Sequence, residues 1–200
     1  MTNETEPMWC INGRLNLGCG RDIKEGWKNI DCLDLPGVDV VADLNHCGAI
    51  PLPWGNDSVN EMLLSHTLEH IQDSLGLMQE LHRIAKPGAL LTVRVPYGSS
   101  DDADEDPTHV RRYFINSWGY YSQPYFWKAD YNFRGDWAVE KLTLLVPKAL
   151  QAMQQENLLV RVMRERNVVK EMVAVLKAVK PIRPPLKELQ QPTVVYFEYA

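Results

Sequence analysis

Short apolar runs rich in Val, Ile and Leu recur along the first half of the chain: R-L-N-L (14–17), W-K-N-I-D (27–31), V-D-V-V-A-D-L (38–44), V-N-E-M-L-L-S (59–65) and A-L-L-T-V-R-V-P (89–96). Their length and their Gly, Pro and Asp borders predict buried strands. Between the last two, Leu68, Ile71, Leu75, Met78, Leu81 and Ile84 fall at three- and four-residue steps, and Lys86-Pro87-Gly88 ends the run. That spacing predicts an amphipathic helix, hence a strand–helix–strand unit of a parallel sheet. The links after the first two strands are too short for full crossover helices, so turns are expected there.

Beyond residue 97 the pattern changes. An acidic stretch, D-D-A-D-E-D-P (101–107), precedes a segment from Tyr113 to Trp137 that holds 11 of the 18 aromatics. Such density predicts a satellite core, the cover of a ligand site, or both. Residues 137–147 read as a strand. Residues 148–180 read as helical, with Val168, Met172, Val175, Leu176 and Val179 behind a cap at Asn167, and T-V-V-Y-F-E-Y closes the chain as another strand.

The 200 residues, 45% hydrophobic and 24% charged, suit a single domain over 1–200. Within it, 14–97 would form a ligand-binding core, 98–136 an acidic loop with an aromatic lid, and 137–200 the closing strands and basic helices. The formal charge of −5 divides unevenly, −9 over residues 1–147 and +6 over 148–187. An acidic main body argues against a dedicated nucleic-acid binder, and the basic segment reads as a solvated helix face. No apolar stretch approaches a membrane span and no signal peptide is evident, so a cytoplasmic protein is expected. Cys10, Cys19, Cys32 and Cys47 have neither disulfide nor zinc-ribbon spacing and read as small buried residues; no metal is expected.

Gly18-Cys19-Gly20 follows the first strand directly, where two glycines let the backbone turn tightly and approach a ligand. A dinucleotide fingerprint would place a third glycine at position 23, which is Ile23, and that weakens a nicotinamide reading. His66-Thr67-Leu68-Glu69-His70 matches the H-x-x-E-H of inverted zinc peptidases. That motif needs to lie well inside a helix, whereas this one begins where an apolar strand stops.

Taken in order, L-N-L-G-C-G, N-I-D, D-V-V-A-D-L, the strand ending S-H-T-L-E-H-I and the K-P-G turn resemble the seven-stranded class I S-adenosylmethionine-dependent methyltransferases, in particular their small type 11-like subgroup. The resemblance covers residues 14–115. It implies a three-layer Rossmann-like fold, mostly parallel, with an antiparallel strand supplied by residues 193–199, and S-adenosyl-L-methionine as cofactor with S-adenosyl-L-homocysteine as product. It implies Gly18 and Gly20 beneath the methionine moiety with Asn16 and Cys19 beside it, Asp31 on the ribose, Asp43 and Leu44 on the adenine, and Ser65 and His66 near the sulfonium. Asp34 rivals Asp31 if the second strand runs longer. In D-P-T-H-V-R-R-Y-F, His109 is the candidate base, or a loop pin, and Arg111, Arg112 and Tyr113 are candidate substrate contacts.

The acceptor expected is a small molecule or a sugar, since neither the N-P-P-Y-like tetrad of amino-methylating DNA enzymes nor a Pro-Cys nucleophile occurs. An RNA or nucleotide acceptor, held by the aromatics with Lys128 and Arg134, is a lesser alternative. A cofactor-binding interaction module without catalysis is the principal rival to an enzyme.

Overall fold

A computed structural model describes residues 13–200. Eight strands form one sheet in the order β3-β2-β1-β4-β5-β7-β6-β8. They are β1 (Arg14–Leu17), β2 (Lys28–Asp31), β3 (Val40–Val41), β4 (Val59–Ser65), β5 (Ala85–Pro96), β6 (Trp137–Val146), β7 (Glu171–Ala178) and β8 (Val195–Tyr199). Three α-helical segments accompany them: α1 (Ser74–Ile84), a single turn α2 (Asp102–Glu105) and α3 (Gln155–Arg164). No described helix is long and apolar enough to cross a membrane.

β1 pairs in parallel with β2 and with β4, and β2 with β3, yet residues 18–27 and 32–39 contain only turns. The short connections expected from the sequence therefore do join parallel strands. Asn16 and Asn29, side by side on β1 and β2, are both buried and take the place of a crossover helix as anchors. Asn16 Nδ2 donates to Asn29 Oδ1 (2.9 Å) and to the Asp22 carbonyl (2.8 Å), while Lys24 N donates to Asn29 Oδ1 (2.9 Å). Polar groups in this position must be satisfied internally, and here they fasten the loop to the sheet.

The core lies between β1, β4 and β5 and the helix that follows β4. Leu15, Leu17, Met62, Leu64, Leu91 and Val93 are at most 1% exposed, as are Leu77, Met78, Leu81 and Ile84 of α1. Burying each such side chain contributes about 1.5–3 kcal/mol. The helix begins later than the periodicity predicts: Leu68–His70 form a separate 3-10 turn, and Asp73 caps α1 by accepting from Gly76 N at 2.9 Å.

Two expectations for the C-terminal third need correction. Residues 148–180 are not one helical region, because only α3 is regular helix there and Met172, Val175 and Leu176 lie in β7. The antiparallel strand is β7, which pairs antiparallel with both β5 and β6, whereas β8 runs parallel to β6 at the sheet edge. Cys19 and Cys47 are buried as expected, but Cys32 is exposed, since it lies past the end of β2; Cys10 falls outside the described residues.

The aromatic segment is not a separate satellite: Tyr113, Trp118, Tyr121, Phe126, Phe133 and Trp137 pack into the same continuous core. Trp118 and Trp137 are fully buried, and the indole of Trp137 donates to the Met78 carbonyl at 3.0 Å. Asp136, 0% exposed, accepts from Arg183 through both carboxylate oxygens at 2.8 Å and from Gln123 N at 3.1 Å. That pair ties the C-terminal segment to the aromatic layer.

Candidate functional site

The carboxyl ends of β1 to β6 share one edge of the sheet with the start of the antiparallel β7, the edge where open α/β sheets bind ligands. At the end of β1 the chain turns through Gly18 (φ +66°) and Gly20 (φ +51°), a region L side chains enter only with strain. A Cβ on Gly18 would come within 2.3 Å of Thr67 Cγ2, so this glycine lets the loop press against the end of β4. A Cβ on Gly20 would meet nothing within 4 Å, so the space beyond the loop is open. Cys19 lies between them; burial, and then the nearby Asp31 charge, push its thiol pKa up and keep it a thiol.

Asp31 closes β2, and Asp34 lies exposed in the loop beyond. Gly20 N donates to Asp31 Oδ2 at 2.8 Å and Leu33 N to Oδ1 at 3.0 Å. The Cys32 thiol also donates weakly to Oδ1 at 3.6 Å; an ionised carboxylate has about four acceptor positions, so Oδ2 retains capacity for a ligand hydroxyl and Oδ1 gains it where the thiol turns away. Asp43 sits at the entry of the 3-10 turn Leu44–His46, accepting from Asn45 N (2.9 Å) and pairing with His46 Nδ1 (2.9 Å). The Asn45 amide above all, then the His46 contact, hold its pKa below the ordinary carboxylate value despite some burial. Leu44 is buried.

After Ser65, which is partly buried, His66 adopts φ +51° and leaves the strand. Its Nε2 stands 2.7 Å from Glu171 Oε1, and Arg94 Nη2 donates to Glu171 Oε2 at 2.6 Å. The hydrogen bond to Glu171 first, and the nearby Glu69 carboxylate 3.5 Å from Nδ1 second, raise the His66 pKa to about 9, so the ring is an imidazolium at neutral pH. Burial works to raise Glu171, but the contacts from His66 and Arg94 hold it below the ordinary value. Glu171 carried no local signal in the sequence, standing 105 residues from His66.

The same turn separates the residues of the H-x-x-E-H motif. His66 ends a strand and turns to Glu171, while His70 lies edge-on to His109 with ring centroids 4.7 Å apart. The two histidines do not share a helical face, so the peptidase arrangement is not formed.

His109 Nδ1 lies 3.2 Å from the Ala103 carbonyl, so the loop-pinning bond exists. The ring also lines a cavity of about 760 Å³ at the sheet edge, with His66, Asp102, Glu105, Asp106 and Glu171 among its walls. Pro96, Leu145, Val146, Pro147 and Ala200 give the lining an apolar part, and among its charged groups the four carboxylates outnumber the two cations, Lys170 and His66. Arg111, Arg112 and Tyr113 border a different cavity of about 320 Å³ walled by Tyr120, Tyr121 and Tyr131. There Arg112 pairs with Asp104, and Tyr113 is 1% exposed, stacked on Trp118 at 5.5 Å with its hydroxyl 3.3 Å from that of Tyr121. The structure thus parts His109 from the residues beside it in the motif. Lys128 lies over the Trp127 ring at 4.8 Å, and Arg134 is held by Asp130 at 3.0 Å.

No protein-family model matches the chain, and no curated protein matches it in sequence. Solved structures do match in fold. A SAM-dependent methyltransferase from Archaeoglobus fulgidus superposes with a TM-score of 0.57 at 16% identity, over 84% of this chain and 88% of that one. The [4+2]-cyclase SpnF gives 0.52 at 13% identity, over 83% and 74%. A protein from Thermotoga maritima described as a SAM-dependent methyltransferase, possible histamine N-methyltransferase, gives 0.50 at 15%, over 84% and 81%. The chain therefore has the Rossmann-like fold of these methyltransferases, a fold that SpnF shows to host other chemistry.

Proposed function

We propose that this chain transfers a methyl group from S-adenosyl-L-methionine to a small acceptor held in the cavity beside His109. The observation that carries the reading is Asp31: a strand-end carboxylate with spare acceptor capacity, facing a glycine loop whose Gly20 borders open space. A ribose diol needs such a pair of oxygens, and the loop offers a backbone unobstructed by side chains. In this reading Gly18, Cys19 and Gly20 flank the methionine moiety, Asp43 and Leu44 take the adenine edge, and Ser65 and His66 border the reacting end. Asn16 acts one step removed, holding the loop through Asp22.

The cofactor, when bound, supplies a methyl group on a sulfonium with a neutral leaving group. What remains for the protein is to hold the acceptor aligned and to accept a proton where the acceptor carries one. His109 presents a ring nitrogen to the cavity once its Nδ1 is given to Ala103. The volume suits a small molecule. An acidic lining disfavours phosphorylated acceptors and supports a neutral polyhydroxyl or cationic one, which sets a sugar or amine ahead of a nucleotide.

Calorimetric titration with S-adenosyl-L-homocysteine tests the cofactor site. Micromolar binding that weakens in Asp31→Ala and Asp43→Ala is expected. Absence of binding by the intact chain would overturn the reading. Methyl transfer to sugars and amines, but not to their phosphorylated counterparts, would then identify the acceptor class.

A further inference from the structure

We infer that Glu69, His70 and His109 form a divalent transition-metal site beside the larger cavity, which His109 alone of the three lines. One ring nitrogen of each histidine and a carboxylate oxygen of Glu69 all lie within 4.8 Å of one another. The inference stands on these ligands and does not depend on methyl transfer; with an ion bound, His109 Nε2 would be a ligand and no longer the proton acceptor proposed above.

Glu69 is the first reason. Its side chain is 2% exposed, and neither carboxylate oxygen has a hydrogen-bond partner among the described residues. The nearest cation, His66 Nδ1, is 3.5 Å away, outside hydrogen-bond geometry, and His66 already serves Glu171. A buried carboxylate without hydrogen bonds is costly, and a neighbouring charge alone leaves its lone pairs unused. A bound cation would use them.

The two histidines give the second reason. Thr108 has a single hydroxyl proton, and at 2.6 Å it goes to Asp106 Oδ1, an acceptor. The 2.9 Å contact between Thr108 Oγ1 and His70 Nδ1 must then be donated by the histidine. His109 likewise donates Nδ1–H to the Ala103 carbonyl, which can only accept. In their neutral forms both rings are thereby locked with Nε2 as a free lone pair. Locking the far nitrogen of a ligating histidine on an oxygen acceptor is how proteins orient such rings.

Two imidazoles and one carboxylate favour zinc, iron(II), cobalt or manganese over magnesium or calcium. Ligand atoms around a tetrahedral zinc lie about 3.3 Å apart, given bonds of roughly 2.0–2.1 Å. The cluster therefore closes by up to about 1.5 Å on binding. Three protein ligands leave a fourth position open where His109 meets the cavity. Asp106 Oδ2, 3.9 Å from His109 Nε2, is near enough to hold a metal-bound water.

The test is calorimetric titration of chelator-treated protein with zinc chloride, repeated with cobalt chloride while following the visible absorption of the bound ion. The expected result is one equivalent per chain, weakened at least about tenfold in His109→Ala and Glu69→Gln and roughly tenfold in Thr108→Val. His46→Ala, which removes an exposed histidine elsewhere, should bind as the unaltered chain does. Thermal unfolding of each variant establishes that it is folded, and His109→Ala decides the matter should Glu69→Gln not fold. A chain that takes up neither ion, or a folded His109→Ala variant that binds as tightly, overturns the inference.

Discussion

The amide of Gly20 donates to the carboxylate of Asp31 at 2.8 Å, joining the loop after β1 to the end of β2 across eleven residues. This bond positions the carboxylate proposed to hold the ribose while leaving it acceptor capacity. Asp31→Asn should retain the fold but weaken S-adenosyl-L-homocysteine binding by at least about tenfold, the value of a hydrogen bond to a charged group. Calorimetry at neutral pH measures this, and unchanged affinity would remove Asp31 from the site.

The two loop glycines should separate stability from binding. Gly18→Ala meets Thr67 at 2.3 Å and also carries positive-φ strain, whereas Gly20→Ala carries the strain alone. Gly20→Ala should cost about 1–2 kcal/mol of stability and Gly18→Ala clearly more. Thr67→Ala should recover part of the loss in Gly18→Ala. Urea unfolding of the three variants provides the comparison, and equal losses at both glycines would contradict it.

Asp136 and Arg183 should behave as one unit. Removing the carboxylate leaves the guanidinium facing a fully buried site, so Asp136→Ala should destabilise by about 3–5 kcal/mol. The double variant with Arg183→Ala should lose less than the two single losses added together. Denaturant midpoints for the four proteins of the cycle settle this.

His82 predicts a pH dependence of stability. Burial above all, with the Lys180 charge adding to it, holds its pKa below the ordinary value, although its contact with the Val179 carbonyl works the other way. The unfolded chain therefore binds more protons over the interval between the folded pKa and the unfolded one of about 6.5. Stability should fall as pH drops through that interval and level off below it. His82→Gln, which keeps a donor for Val179, should lose less stability between pH 7.5 and 5.5 than the unaltered chain. An equal loss in both would show that His82 is not the group responsible.

Much of this molecule is legible in the order of its residues. β1 and β4 lie where the apolar runs put them, β2 and β6 within a residue of it, and Gly18, Gly20 and Asp31 at the strand ends that the motifs mark. These features are local: a buried strand needs a short apolar run, and a tight turn with positive φ needs glycine. The reading of 148–180 failed because Met172, Val175, Leu176 and Val179 satisfy a helical step while Met172, Ala174, Leu176 and Ala178 satisfy alternation, and all four of the latter are buried. Local periodicity cannot choose between them; β5 and β6, pairing on either side, make the strand.

What the tertiary structure alone decided is which charges and lone pairs meet. T-L-E-H and D-P-T-H each stand out in the sequence, but nothing local indicates that Thr108 would fix the ring of His70, or that His109 would close on Glu69. Nor does it show that Glu171, at the start of an unrecognised strand, would hold His66 protonated. The sequence by itself determined the strand ends and the glycine turn, because sterics and burial act within a few residues. The pairing of the histidines and buried acids followed from the sheet order, because electrostatic and ligand contacts depend on distance in space and not on distance along the chain.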